Sequence, residues 1–129
     1  MELQDRVAVV TGGAKGIGFA LAQAFLAEGA AGVAIADLQQ AEVDAAVAQL
    51  GDRAVGYTVD VSSRAAVAGL AAQVEDRLGP IDLFVSNAGI GTGAGVEASD
   101  ETWDQIWKVN VLAHVYAAEA VLPAMLARG

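Results

Sequence analysis

The chain has 129 residues, a formal net charge of −9, no cysteine and a 55% hydrophobic content. That length holds one domain and excludes a (β/α)₈ barrel of roughly 250 residues. The acidic balance excludes a general nucleic-acid binder, the apolar content excludes disorder, and the missing cysteines exclude a disulfide frame, a thiolate nucleophile and a Cys-based metal site.

Taken in order, Val7–Val10 is a continuous apolar run, the mark of a strand buried on both faces. A glycine cluster follows, and Phe19 to Glu28 reads as a helix stopped by Gly29. Val33 to Ala36 is a second apolar strand ending in Asp37. Gln40 to Leu50 is a helix stopped by Gly51. Ala54 to Val59 is a third strand ending in Asp60. Ser62 or Ser63 caps the next helix, whose apolar positions Val67, Leu70, Ala71, Val74 and Leu78 follow helical spacing. Ile81 to Ser86 is a fourth strand, with Asn87-Ala88-Gly89 as its exit turn. A glycine-rich loop leads to a helix capped by Ser99 or Asp100, and a long helix then runs from about Val109 to Ala127. The 29 alanines and 15 glycines suit close helix-on-sheet packing. The alternation predicts an α/β fold: a doubly wound parallel sheet with right-handed crossovers, in a single domain spanning residues 1–129.

Val111 to Ala127 is the longest near-apolar stretch. It carries His114, Glu119 and Pro123 and reads as a buried or interface helix rather than a membrane span. Residues 1–6 lack the basic stretch and apolar run of a signal peptide, which, with the absence of cysteine, predicts a cytoplasmic protein.

The sharpest chemical signal is Thr11-Gly12-Gly13-Ala14-Lys15-Gly16-Ile17-Gly18, between the first strand and the first helix. Glycines permit a tight turn and let backbone N–H groups approach a phosphate, while a helix N-terminus adds partial positive charge for a pyrophosphate. The plain alternative is a tight strand–helix turn. Asp37 lies 19 residues after Gly18, where a carboxylate accepts from an adenosine ribose. Its charge repels a 2′-phosphate and predicts NAD over NADP. Lys15 argues the other way, since a cation in this turn could hold that phosphate. His114 reads as a helix-face residue without a partner cluster. Trp103 and Trp107, four apart, read as packing residues.

The glycine turn at 11–18, Asp37, Asp60-Val61, Asn87-Ala88-Gly89 and Asn110 together resemble the N-terminal half of a short-chain dehydrogenase/reductase. The resemblance covers essentially the whole chain. It implies a Rossmann-like sheet of four strands in order 3-2-1-4, ending before a fifth. It implies that Gly12, Gly16, Ile17 and Gly18 surround a pyrophosphate. Asp60 would accept from the adenine amino group, and the Val61 N–H would donate to a neighbouring ring nitrogen. Asn87, Ala88 and Gly89 would line the cofactor trough. Asn110 would support catalysis by holding a water and the local helix geometry, its plain alternative being a helix cap or kink.

The chemistry of such enzymes uses a serine and a Tyr-x-x-x-Lys pair for proton transfer during hydride transfer between an alcohol or ketone and nicotinamide. Neither tyrosine fits: Val61 stands four after Tyr57 and Ala120 four after Tyr116. The expectation is therefore a dinucleotide-binding half of an oxidoreductase, inactive alone. Its fourth-strand edge at Leu83–Val85 and helix 109–127 should be uncovered, driving homo-oligomer formation. The competing expectation is a structural or self-associating module that keeps the fold without binding nucleotide. A third is an enzyme completed by a second polypeptide.

Overall fold

Four apolar runs build the sheet because each can bury residues on both faces. In the computed structural model, which describes residues 2–129, β1 (Val7–Thr11), β2 (Gly32–Asp37), β3 (Ala54–Thr58) and β4 (Leu83–Val85) are all parallel, in the order β3-β2-β1-β4. Val9 stands opposite both Ala34 on β2 and Phe84 on β4. The expected strand order is therefore the observed one.

Alternation along β1 divides the core in two. Ala8 and Val10 face one side and pack with Ala22, Leu26, Ile35 and Ala46, under α1 (Gly16–Ala27) and α2 (Gln40–Leu50). Val7 and Val9 face the other and pack with Leu70, Val74, Ile81 and Val121, under α3 (Arg64–Leu78) and α5 (Ala113–Arg128). Every residue of β1 is buried.

Three boundaries differ from the sequence reading by more than one residue. The first helix begins at Gly16 rather than Phe19. Its first intrahelical bond runs from the Phe19 N–H to the Lys15 carbonyl, at 3.2 Å. The preceding turn leaves its N–H groups without intrahelical acceptors, as every helix start does, and so carries no apolar pattern to betray it. β4 is only Leu83–Val85 rather than Ile81–Ser86. Among the described residues it pairs on one side only, and its entry is held by a side chain: the Asp82 carboxylate accepts from the Val7 N–H at 3.0 Å and from Arg6 at 3.3 Å.

The third difference lies near the C-terminus. α4 (Asp100–Trp107), capped by Ser99, does not stop before α5. A π-helical turn, Lys108–Leu112, joins the two. The continuous helix Asp100–Arg128 has 29 residues and is long and apolar enough to cross a membrane by length and composition. Here Val109, Ala113, Ala117 and Val121 are buried against the rest of the fold. Arg64 ties α3 to α5, pairing with Glu119 and lying 4.6 Å over the Tyr116 ring.

Candidate functional site

All four strands point their C-terminal ends the same way, and the loops leaving them enclose a cleft of about 380 Å³. Clefts at the carboxyl ends of parallel strands are where open α/β sheets bind ligands. The turn after β1 contributes Gly12, Lys15, Ile17 and Gly18. The end of β2 contributes Asp37 and Leu38, the exit of β3 Asp60 and Val61, and the exit of β4 Asn87, Ala88, Gly89 and Ile90. Gln105 and Val109 close it from the long helix. Nine of the ten residues expected to hold a cofactor thus line one cleft, and Gly16 lies beside them at the start of α1.

The turn is shaped by backbone contact. Gly12 has φ +63, and a Cβ there would stand 3.0 Å from the Ala88 Cα. A Cβ on Gly18 would strike the Gly12 carbonyl and come within 2.8 Å of the Asn87 Nδ2. Both glycines are therefore packed against backbone too closely to carry a side chain. The first turn of α1 carries no acidic residue of its own to offset the partial positive charge of its N–H groups.

Asp37 does more than mark the end of β2. Its Oδ2 accepts from the Ala14 N–H at 3.1 Å and its Oδ1 from the Leu38 N–H at 2.8 Å. The carboxylate so binds the glycine turn to β2, while its ionised oxygens keep lone pairs for further donors. Asp60 makes an Asx turn: its Oδ1 accepts from the Ser62 N–H at 2.9 Å and from the Ser62 hydroxyl at 2.6 Å. That fixes the carboxylate beside Val61.

Thr11 heads the glycine turn in the sequence reading, which gives it no role of its own, yet it is the central polar residue beneath the cleft. Its hydroxyl is buried and accepts from the Asn87 and Ala88 N–H groups at 3.0 and 3.2 Å. Asn87 returns the contact, its Nδ2 donating to the Thr11 and Gly12 carbonyls at 3.0 and 3.3 Å. Together they staple the end of β1 to the exit of β4, which sets the floor of the cleft. No local pattern announces this, because the partners are 76 residues apart.

Asn110 lies outside the cleft lining and within the π-helical turn. Its side chain grips one backbone unit: Oδ1 accepts from the Ile90 N–H and Nδ2 donates to the Ile90 carbonyl, both at 2.8 Å. The wide turn brings the amide close to the Asn87–Ile90 loop, a use of π-turns common at functional sites. In this chain Asn110 positions that loop.

His114, on the face of α5, has a single side-chain partner among the described residues. Its Nδ1 lies 2.7 Å from the Ser86 Oγ. The pair lies in a second groove between β4 and α5, lined by Phe84, Ala117, Val121 and Met125. The Lys15 ammonium is also engaged, within 3.0 Å of both Glu42 carboxylate oxygens. That contact, with help from the Asp37 charge, raises its pKa above the usual lysine value. No cluster of His, Asp and Glu suited to a metal occurs among the described residues.

Comparison with known proteins gives this arrangement its context. Residues 6–129 match the family model described as short chain dehydrogenase. The sorbitol dehydrogenase of Cereibacter sphaeroides is 38% identical over 130 aligned positions, covering 100% of this chain and 50% of that protein. The L-sorbose reductase of Gluconobacter frateurii, solved with NADPH and L-sorbose, superposes with a TM-score of 0.91 at 34% identity, over 100% of this chain and 51% of that one. A short chain dehydrogenase/reductase of Burkholderia phymatum, solved with NAD, superposes with a TM-score of 0.94 at 30% identity, over 99% and 47%. The chain spans about half the length of the curated relatives it matches, about 50% in each of the first two. With its sheet order, its glycine turn and this match across nearly its whole length, the chain belongs to the short chain dehydrogenase family.

Proposed function

We propose that residues 1–129 form the dinucleotide-binding unit of an NAD-dependent oxidoreductase acting on an alcohol or ketone. The observation that carries this reading is the cleft itself. It joins an unobstructed helix N-terminus, a carboxylate at the end of β2 and an Asx-fixed carboxylate after β3. Two related structures hold NADPH and NAD. The residues fit such a group: Gly12, Gly16, Ile17 and Gly18 would hold the pyrophosphate and Asp37 the adenosine ribose. Asp60 and the Val61 N–H would meet the adenine edge, and Asn87, Ala88 and Gly89 would line the trough toward the nicotinamide. When bound, the nicotinamide supplies hydride transfer. Asn110 would act through its two bonds to Ile90. The Asp37 charge favours NAD over NADP, because a 2′-phosphate would sit against it.

No Tyr-x-x-x-Lys pair occurs in this sequence, so the proposed unit binds without turning over. Hydrogen exchange tests the binding. NAD should slow exchange at amides 12–18 and 87–90 and leave those of the Asp52–Ala54 region unchanged. Uniform or absent protection contradicts the reading. Assays with sugar alcohols and NAD should show no turnover.

A second reading concerns assembly, and it favours a homo-oligomer. β4 is half-buried along its length, and Val111, Val115, Leu122 and Leu126 are exposed along the helix beside it. Unpaired strand edges and apolar helix rows associate. Sedimentation should give a dimer or larger at micromolar concentration, and a stable monomer would contradict it. The net charge of −9 supports a soluble protein without nucleic-acid partners, proposed to be cytoplasmic and free of the membrane. Fractionation of cells expressing it tests that setting.

A further inference from the structure

Two opposed charges line the adenosine end of the cleft, Asp37 and Lys15. Lys15 is the one cationic side chain lining it among the described residues. We infer that Glu42 is a specificity-determining positioning residue: it holds the Lys15 ammonium against α2 and so denies a ribose 2′-phosphate the cation of the glycine turn. This rests on the reading that the cleft takes a nicotinamide dinucleotide.

The geometry is direct. Lys15 Nζ lies 3.0 Å from Glu42 Oε1 and 2.9 Å from Oε2. Glu42 stands in the first turn of α2, where the helix's positive end stabilises a carboxylate. The acid is thus fixed by its helix and the lysine follows it. Lys15 is the mobile partner, with a flexible four-carbon stem and a side chain 69% exposed. The Glu42 contact first, and the Asp37 charge secondarily, raise its pKa above the usual lysine value. A 2′-phosphate entering beside Asp37 meets one negative charge there, and the cation that would offset it is already neutralised. Removing the Glu42 charge leaves Lys15 free to swing toward the ribose. Specificity here is set by a repulsive element and by the withholding of an attractive one.

The test is calorimetry with NAD and NADP on the wild-type chain, Glu42→Gln, Lys15→Met and the double variant, repeated in an Asp37→Ala background that removes the opposing carboxylate. Glu42→Gln should tighten NADP roughly two- to fivefold relative to NAD, the range of an exposed ion pair. The gain should vanish in the double variant and fade with added salt. Glu42→Asp, which keeps the charge, should stay near the wild-type ratio. A ratio unchanged by Glu42→Gln, or a gain that survives Lys15→Met, overturns the inference while NAD binding stands. Failure of the wild-type chain to bind any dinucleotide removes the functional reading and this inference with it.

Discussion

The two flanks of β1 differ sharply. On one side β2 pairs with it over five residues, and both strands are packed between helices until almost nothing reaches water. On the other side β4 pairs over three residues and stays half-buried. Both flanks are apolar in sequence, so composition does not separate them. The difference is coverage: β2 has β3 beyond it, whereas among the described residues nothing pairs with the outer edge of β4. The closed flank supplies rigidity to the cleft, and the open flank supplies surface.

Perturbations should therefore divide by flank. Ile35 is fully buried on the closed side. Ile35→Ala should lower unfolding stability by about 2–5 kcal/mol in urea titrations; a loss below about 1 kcal/mol would mean that this flank is not the packed one. Next comes the turn at the top of β1. Gly18→Val forces a side chain into the Gly12 carbonyl and Asn87. It should cost about 1–3 kcal/mol of stability and abolish dinucleotide binding. Asp37→Ala removes the acceptor for the Ala14 and Leu38 N–H groups and for the ribose. NAD affinity should fall about 10- to 100-fold by calorimetry, the loss expected for hydrogen bonds to a charged group.

Smaller effects belong to the open flank. Asn110→Ala releases both bonds to Ile90. Stability should drop by about 1 kcal/mol, with faster hydrogen exchange confined to the Asn87–Ala98 loop. Leu122→Ser and Leu126→Ser should change the stability of the fold by less than about 0.5 kcal/mol. The same pair should shift sedimentation toward monomer. Large destabilisation by these two would show that the open flank is core after all.

What the sequence makes legible follows the same division by distance. Strand positions, the glycine turn and Asp37 depend on short signals: apolar runs, clustered glycines and a carboxylate where a strand ends; the strand order comes with the family resemblance. The Thr11–Asn87 staple, the Ser86–His114 pair and the Lys15–Glu42 pair depend on sheet register and helix docking, with partners 76, 28 and 27 residues apart. Periodicity cannot reveal them. The π-helical turn escapes for a different reason. Lys108–Leu112 has ordinary helical composition, and only the demand of Asn110 for the Ile90 backbone makes the extra width visible. Asn110, matched to the family's catalytic group by resemblance, is seen here holding a loop.

The central claim is that this cleft binds a dinucleotide through the glycine turn between β1 and α1. Calorimetric titration of the wild-type chain and Gly18→Val with NAD, NADP and AMP tests it most directly. The account predicts saturable heat with NAD at one site per chain, weaker binding of NADP, and none in the Gly18→Val variant with its fold retained by circular dichroism. No saturable binding of any of the three to the wild-type chain would contradict it.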